Sequence, residues 1–512
     1  MPARFPIAVL AAALALGVAA PAAAGPRSSA RFPETLPALH AAPSTDARGG
    51  RIVDARGREV LLRGVNVNVL ADYAKTTYLP PVQPFRPRDL EILRTSGFNL
   101  VRLQLSWSRI EPSPGRYDDA YLAEAGRYIE TFRSAGMYTI ADVHQDAWGA
   151  SLGARRGEPC PAGLKPAVGW DGAPAWATLV PDGVPRCFVL AREVNFAVET
   201  AWAAFWRDAP GPDSFGIRTR YTSMLGHVAR RLSRHSSLAG YDVINEPATF
   251  TREHQAALSD LYSQALREIR AGERFAGSPP RLFLFQPDTR WAKVGHGPPP
   301  DFARDGAVVY APHLYAPERP VIRSAFAGAR SEAARFGGAP VLFGEWGAPP
   351  GRDPAYFTQH QDLQDAFGIS SALWAWSEGC GGPQRLTDLL SGGAGKVWGL
   401  LDVDCLTGAT IGPREDVVRR ITRAYVRAAP GRLFGQRYSA RTGRLAAVGE
   451  APDDNRATLL VYYPGWKHAD ARFRATGLTR LRAVRTPGEG RFFVAVPRGA
   501  WSLEIGPRLT TR

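Results

Sequence analysis

Two short apolar stretches, VINEP at residues 243–247 and LFGEWG at residues 342–347, each place a glutamate at the end of a strand-like run. Six further β-type runs, before, between and after them, alternate with amphipathic helical patterns. Such alternation predicts a parallel sheet, and eight units over about 370 residues predict a (β/α)8 barrel. Glu246 and Glu345 would then end the fourth and seventh strands, at the face where barrel enzymes bind substrate.

The barrel prediction depends on the spacing of the apolar runs. The predicted strands are 60–68, 99–107, 138–146, 239–246, 282–286, 308–315, 341–346 and 372–376, and the predicted helices include 87–96, 121–135, 218–232, 252–271 and 413–428. After Pro430 the pattern changes to short alternating runs, which are typical of a small antiparallel sandwich. The predicted fold class is therefore α/β: a (β/α)8 TIM barrel at residues 49–429, followed by a C-terminal antiparallel β-sandwich domain at 430–512.

The first 24 residues have the pattern of a secretory signal peptide. They contain one charged residue, Arg4, then an apolar stretch from 7 to 20 and three alanines before Gly25, and such a segment is removed on export. Residues 25–48 are rich in Ala, Pro and Ser and are predicted to be a linker. We therefore expect a mature protein that is secreted or periplasmic.

The charge of the chain bears on its partners. The formal net charge is +15, mostly from arginines spread along the sequence. A diffuse positive field favours anionic surfaces, but no basic run interleaved with aromatics indicates a nucleic-acid partner. Peripheral contact with a lipid surface stays open. Trp466 and Trp501 of the C-terminal domain are candidates for it, with burial in a small core as the alternative reading.

Four cysteines fall into two pairs that are close in sequence. In an exported protein two disulfide bonds, Cys160 with Cys187 and Cys380 with Cys405, are the natural interpretation, although sequence alone does not prove connectivity. Each would stabilise the fold by about 3 to 4 kcal/mol in the chain-entropy model. A zinc site is not indicated, because the pairs lack close C-x-x-C spacing and a neighbouring His.

Paired carboxyl groups at strand ends are the basis for a catalytic hypothesis. In retaining glycoside hydrolysis one carboxylate attacks the sugar carbon, while the other carboxyl donates a proton to the leaving oxygen. A lone glutamate at a strand end is usually a solvated or ion-paired group. Other polar or aromatic residues are predicted on the same rim: Arg102, His144, Asp146, Asn245, His313, Tyr315 and Trp376.

With these motifs at these strand intervals, residues 49–428 resemble glycoside hydrolase family 5, the cellulase-like retaining β-glycosidases. The resemblance implies that Glu246 is the general acid and base and Glu345 the nucleophile, and that Asn245 bonds the sugar 2-hydroxyl. It also implies supporting roles. Arg102 and Tyr315 would hold Glu345 ionised, His144 and His313 would line the subsite of the reacting sugar, and Trp376 would form its floor.

Within that family, DVHQD at 142–146 followed by GAPAWAT at 172–178 resembles the endoglycoceramidases, which split the bond between glycan and ceramide. This resemblance implies that Asp146 bonds hydroxyls of the first sugar, that Lys75 reaches the same sugar, and that Trp176 or a neighbour stacks on it. The expected partner is a glycolipid or glycan. A β-glucosidase, endoglucanase or steryl-glucosidase of the same family is the alternative.

Two other classes of function compete with this interpretation. Asp142, His144 and Asp146 alternate along one strand and could bind a metal, as in metal-dependent barrel hydrolases, but the first strand has only Asn66 and Asn68 where further ligands are usual. A non-catalytic glycan-binding barrel would be expected to have lost one of the catalytic groups. The glycosidase hypothesis needs no cofactor, because two carboxyls and water suffice.

Overall fold

The computed structural model describes residues 36–189, 192–193, 195–288, 302, 305–315, 319–348, 355–390, 398–465, 471–485 and 491–507. The predicted signal peptide and Trp466 lie outside these residues. No helix among the described residues has the combined length and apolarity that crossing a bilayer requires.

Eight parallel strands form the predicted barrel. In chain order they are β1 (Arg63–Leu70), β2 (Leu100–Ser106), β3 (Tyr138–His144), β4 (Leu238–Asp242), β5 (Leu282–Phe285), β6 (Val308–Tyr310), β7 (Leu342–Trp346) and β8 (Ser370–Leu373). Neighbours in sequence are paired from β1 to β6, and β8 joins β7 to β1. Parallel bridges from Tyr310 to Val341 and from Leu314 to Trp346 bring β6 to β7 and bring the ring close to closure.

Strand periodicity decides which side chains enter the barrel. In β2, Val101, Leu103 and Leu105 belong to the large core cluster, while Arg102 and Gln104 are fully buried polar residues. Because successive side chains point to opposite faces of a sheet, an apolar outer set leaves the polar set inside the ring. The same alternation in β3 directs Asp142 and His144 inward.

Helices surround the barrel close to the predicted positions. They are Pro87–Thr95, Trp107–Ile110, Asp119–Ser134, Phe196–Trp206, Ile217–Leu232, Arg252–Ala276, Arg319–Arg335, Ala355–Phe367, Pro383–Leu390 and Glu415–Ile421. The Asp118 carboxylate accepts from the N–H groups of Ala120 and Tyr121, both at 2.9 Å, and so begins the helix Asp119–Ser134.

The loops after β3 and β8 contain short elements of their own. Both pairs of short strands are antiparallel, and two 3-10 turns accompany the first pair. The elements are Ala150–Leu152, Lys165–Pro166, Ala175–Ala177 and Cys187–Phe188 after β3, and Leu401–Val403 with Thr410–Pro413 after β8.

The antiparallel sheet contains more of the chain than the sequence predicts. Its strands are Leu39–Ala42, Arg51–Asp54, Arg58–Val60, Tyr425–Pro430, Arg432–Ser439, Arg444–Ala451, Leu459–Tyr463, Arg472–Arg485 and Arg491–Gly506. Residues 39–42, predicted to be linker, are therefore a strand, and residues 425–428, predicted to be helix, begin the C-terminal part of the sheet. Residues 39–42 pair with the nearby strand Arg51–Asp54, whereas the segment from 425 pairs with partners far away in sequence, since Ala428 lies opposite Val60.

The sheet packs on the amino-terminal end of the barrel. One core cluster contains first residues of barrel strands, such as Leu100 and Tyr138, together with Tyr425, Tyr462 and Phe492 of the sheet. The sheet therefore lies opposite the carboxyl ends of the strands. Trp501 is buried in a second cluster within the sheet, so core packing, and not lipid contact, is its role.

Both predicted disulfide bonds form. Cys160 joins Cys187 across the loop after β3 with a Cα–Cα distance of 5.8 Å, and Cys380 joins Cys405 after β8 at 5.4 Å. Each bond therefore ties a long loop at the carboxyl-terminal face of the barrel.

Candidate active site

Arg102 is the electrostatic centre of the site. Its guanidinium is fully buried and lies 2.8 Å from Glu345 Oε1, 2.9 Å from Asp142 Oδ1 and 2.9 Å from Asp242 Oδ2. Its N–H groups also donate to Asn245 Oδ1 at 2.9 Å. Burial opposes the charge of Arg102, but the three carboxylates outweigh it and raise the pKa above its usual value. One planar donor group thus fixes the catalytic rim to the barrel interior.

Two residues that complete this network, Asn66 and Gln286, were not predicted from the sequence as site residues. Asn66 of β1 accepts from Arg102 at 2.9 Å. Gln286, just after β5, donates to both oxygens of Asp242 at 3.0 and 3.1 Å and accepts from the backbone N–H of Glu246 at 2.9 Å. The alternation of Asn66 and Asn68 among valines was the available signal, because it places polar side chains on the inner face of β1.

Glu345 lies within β7 and is almost completely buried. The Tyr315 hydroxyl donates to Glu345 Oε2 at 2.7 Å, while Arg102 donates to Oε1. Both oxygens of Glu345 therefore accept a hydrogen bond, which fixes the orientation of this side chain.

Glu246 follows β4 instead of ending it, because the strand stops at Asp242. Its φ of 39° lies in the left-handed region, which is costly for a residue with a side chain and is held here by the bond from its N–H to Gln286. The side chain is 27% exposed. Burial raises the pKa of Glu246 to about 7, and the charge of Asp146 adds to the increase. This carboxyl can keep a proton near neutral pH.

His313 lies between the two glutamates. Its Nδ1 is 2.8 Å from Glu246 Oε1 and 3.4 Å from Glu345 Oε2. Burial lowers the pKa of His313 to about 4 against the opposing charge of Glu345, so the ring is neutral at neutral pH. A Cβ at residue 344 would come within 2.9 Å of His313 Nε2, which explains the glycine in Gly344-Glu345.

The spacing of the carboxyls indicates the stereochemistry. A carboxylate oxygen of Glu246, a ring nitrogen of His313 and a carboxylate oxygen of Glu345 all lie within 4.8 Å of one another. Retaining glycosidases separate their two carboxyls by about 5 to 5.5 Å, and inverting enzymes by about 6.5 to 9.5 Å. The pair fits the retaining arrangement.

His144 and Asp146 form a second polar cluster beside this pair. His144 Nδ1 is 2.8 Å from Asp142, and its Nε2 is 3.5 Å from Asp146. Burial opposes the charge on His144, but Asp142 outweighs it and raises its pKa well above the usual range. Asp146 also accepts a hydrogen bond from Arg192 at 2.8 Å. Burial opposes ionisation of Asp146, but Arg192 and His144 outweigh it and lower the pKa of Asp146. Arg192, from the disulfide-closed loop, was not predicted.

These contacts bear on the alternative of a metal site. Both ring nitrogens of His144 already face carboxylates, and Asp142 also pairs with Arg102. The atoms of Glu246, His313 and Glu345 are close enough to share a cation, but His313, Tyr315 and Arg102 already hold the two carboxylates. The carboxylates in both clusters are therefore already held by protein donors.

Trp376 is not at the site, which corrects the predicted floor residue. Its side chain is 1% exposed and belongs to the main core cluster. Trp374, two residues earlier, is partly exposed instead and stacks on His144 with 5.4 Å between ring centroids. Its indole N–H donates to Glu378 at 3.0 Å.

Two weaker predictions also differ from the geometry. Trp176 packs edge-on against Trp107 at 5.4 Å and donates its indole N–H to the Glu111 carbonyl at 3.0 Å, so it belongs to the aromatic packing under the loop. Lys75 is exposed in the loop after β1. Asp72 of that loop turns inward instead, and is buried.

Comparison with known proteins agrees with this geometry. The family model described as cellulase (glycosyl hydrolase family 5) matches residues 53–379. The chain belongs to glycosyl hydrolase family 5. Membership of family 5 confirms the resemblance that the motifs indicate, and the matched range contains both glutamates.

The chain is similar to proteins named endogalactoceramidase, endoglycoceramidase and glucosylceramidase. The crystal structure of an endogalactoceramidase superimposes with a TM-score of 0.81 and 32% identity, covering 91% of this chain and 99% of that one. Endoglycoceramidase I of Rhodococcus hoagii (strain 103S) is 29% identical over 296 residues, 52% of each chain. A glucosylceramidase of Aspergillus fumigatus is 30% identical over 155 residues, 26% of this chain and 18% of that one. The chain thus spans about half the length of the first curated relative, and less of the second.

Proposed function

We propose that this family 5 protein is a retaining β-glycosidase that cleaves the bond between glycan and ceramide in glycosphingolipids. The observation that carries the chemistry is the pair Glu246 and Glu345, held within retaining distance with His313 between them. The relatives named endogalactoceramidase and endoglycoceramidase support the substrate class.

In the first step Glu345 attacks the anomeric carbon and the bond to the ceramide oxygen breaks. Glu246, protonated because its pKa is about 7, gives its proton to that leaving oxygen. Arg102 and the Tyr315 hydroxyl hold the Glu345 carboxylate in place before attack. Asn245, fixed by its bond to Arg102, is placed to bond the sugar 2-hydroxyl.

In the second step water replaces Glu345 on the sugar. Glu246 has now lost its proton and acts as the general base, and neutral His313 donates its Nδ1–H to the new carboxylate. The glycan leaves with its original anomeric configuration. We propose that His144, Asp146 and Trp374 line the subsite that binds the reacting sugar.

We also propose that the loops at the site touch the lipid surface in which the substrate is embedded. Tyr78, Leu406 and Ile411 are 78%, 83% and 73% exposed. The Tyr78 hydroxyl donates to the Leu406 carbonyl at 3.1 Å, next to the Cys380–Cys405 bond. Trp398, eight residues before Leu406, lies edge-on to Tyr315 with 5.9 Å between the ring centroids, so the chain segment that carries Leu406 and Ile411 also borders the catalytic rim.

The two disulfide bonds are typical of an extracellular or periplasmic protein. We propose that residues 1–24 direct the export that places the protein there. Expression of the full chain, followed by mass determination of the exported product, tests this: retention of residues 1–24 would contradict it.

Product analysis tests the substrate class. The purified protein is incubated with detergent and a ganglioside, glucosylceramide or a cellooligosaccharide, and the products are separated by chromatography. Release of intact glycan and ceramide is expected. Cleavage of only the cellooligosaccharide would leave the glutamate pair in place and overturn the ceramide assignment.

The lipid contact is tested with Leu406→Asp, which places a charge on the exposed apolar group. We expect a larger loss of activity on ganglioside in vesicles than on a soluble aryl lactoside. Equal losses on both substrates would refute the contact.

A further inference from the structure

Asp72 is a buried carboxylate that the proposed mechanism does not use. It lies two residues beyond the end of β1 and is 7% exposed. Asn68 donates to its Oδ2 at a long 3.3 Å. Its other oxygen, Oδ1, is buried and accepts no hydrogen bond from any residue in the described ranges. A buried carboxylate oxygen without a donor is costly, so its presence calls for a donor from outside the protein.

The loop around Asp72 is held firmly in this conformation. Asp72 has a φ of 62°, in the left-handed region that side chains other than Asn and Asp rarely adopt. The next backbone N–H, of Tyr73, donates to the Asp171 carboxylate, and the Tyr73 hydroxyl donates to the Val69 carbonyl. Further along, the Thr76 N–H donates to the Gly381 carbonyl at 2.9 Å. Backbone strain maintained by so many contacts is common where a side chain serves a ligand.

The surroundings of Asp72 identify the ligand chemistry. Burial raises the pKa of Asp72 to about 7. The charge of His144 acts to lower this pKa, and the charges of Asp146 and Asp171 act to raise it. Asn68, which donates to Asp72, lies two residues beyond Asn66 on the inner face of β1, and Asn66 is bonded to Arg102. Asp72 therefore lies at the same end of the barrel as His144 and Asp146. A neutral polyhydroxylated ligand suits this end of the barrel, because hydroxyl groups donate to carboxylate oxygens and bring no further charge.

We infer that Asp72 is a specificity-determining residue, which accepts a hydrogen bond from one hydroxyl of the sugar held by His144 and Asp146. The inference rests on the proposed glycosidase function and goes further by naming the residue that selects among sugars. A fixed acceptor can bond a hydroxyl only in one position. Asp72 would therefore discriminate between sugars that differ in the configuration of one hydroxyl-bearing carbon. The exposed Lys75 of the same loop would then not be the residue that reads this hydroxyl.

The test pairs removal of the carboxylate with removal of each sugar hydroxyl. Wild type, Asp72→Ala and Asp72→Asn are assayed on an aryl β-glycoside and on its mono-deoxy analogues, and kcat/KM is compared. For the analogue that lacks the hydroxyl bound by Asp72, we expect kcat/KM of wild type to be on the order of ten- to hundredfold lower than for the parent glycoside, as for a lost charge-assisted hydrogen bond. For Asp72→Ala, kcat/KM should be the same on this analogue and on the parent glycoside. Asp72→Asn keeps the shape of the side chain and a neutral acceptor oxygen, so it should show a smaller loss on the same deoxy analogue than wild type does, and it reports on the contact if the alanine variant is unstable.

A control separates a direct contact from a structural role. Asp182→Asn makes the same chemical change at an exposed position of the loop after β3 and should respond to every deoxy position as wild type does. If the Asp72 variants also respond like wild type at every position, the inference is overturned while the glycosidase function stands. If wild type cleaves no glycoside, the proposed function and this inference fail together.

Discussion

Replacing Glu246 by Gln tests the proton-transfer half of the mechanism. Gln has nearly the same shape but cannot donate a catalytic proton. A carboxyl with the ordinary pKa of 4.5 would be protonated in only about 1 molecule in 300 at pH 7, whereas a pKa of about 7 keeps about half of the molecules protonated. The buried setting of Glu246 therefore increases the active form by about 150-fold at neutral pH.

The effect should depend on the leaving group. A dinitrophenolate leaves without a proton, but the alkoxide of ceramide does not, so Glu246→Gln should lower kcat/KM for a ceramide glycoside by about 10²- to 10⁴-fold more than for a dinitrophenyl glycoside. In wild type, kcat/KM for the ceramide glycoside should fall as pH rises through about 7, because Glu246 loses its proton there. For the ceramide glycoside this limb should vanish in the variant, and the dinitrophenyl glycoside should lack it even in wild type, because its leaving group needs no proton.

The assay is kcat/KM against pH for both substrates. Glu193→Gln is the matched control, since burial also raises the pKa of Glu193 to about 7 while no catalytic role is assigned to it; its profile should keep the limb. The reasoning is refuted if the limb near pH 7 persists in Glu246→Gln and disappears in Glu193→Gln, or if both substrates lose activity equally.

Three further predictions concern the support of the site. Arg102→Met leaves three buried carboxylates without their cation and should lower the free energy of unfolding by at least about 3 to 5 kcal/mol, measured by denaturant titration; a loss below about 1 kcal/mol would contradict the network. Trp374→Ala should reduce kcat/KM on a glycolipid roughly tenfold by removing an aromatic surface beside His144, whereas Trp376→Phe should change thermal stability more than activity. Added EDTA should leave the rate unchanged, and inhibition reversed by zinc would favour metal chemistry.

The sequence was sufficient for the barrel because its signals are local. Runs such as 100–106 show strand alternation within seven residues, and each glutamate follows or ends its own apolar run. The disulfide pairing was equally local, since the bonded cysteines are 27 and 25 residues apart. The polar residues predicted at the strand ends therefore come together at the carboxyl-terminal face of the barrel. They are Glu246, Glu345, Arg102, Asn245, His313 and Tyr315.

The failures have a common physical cause, which is that local pattern does not specify distant partners. Residues 425–428 look like helix, yet they become a strand because they pair with residues near 460 and with Val60, both far away in sequence. Residues 39–42 look like linker, and they become the edge strand of the same sheet by pairing with Arg51–Asp54. Trp374 and Trp376 could not be distinguished by alternation, because β8 ends at Leu373 and strand periodicity does not continue beyond it.

Loop residues were the least predictable part of the site. Arg192 reaches Asp146 from 46 residues further along the chain, through a loop whose course depends on its disulfide. Asp72 turns inward where Lys75 was expected, because Asp171 fixes the following backbone N–H. Both placements follow from tertiary contacts that no short motif encodes.

The central claim, that Glu345 is the nucleophile of a retaining glycosidase, is tested most directly by trapping the covalent intermediate. A 2-deoxy-2-fluoro glycoside with a good leaving group is added to the purified protein, which is then digested and mapped by mass spectrometry. The account predicts one glycosyl adduct, on the peptide that contains Glu345, and none in Glu345→Gln. An adduct on Glu246, or turnover in Glu345→Gln at the wild-type rate, would contradict it.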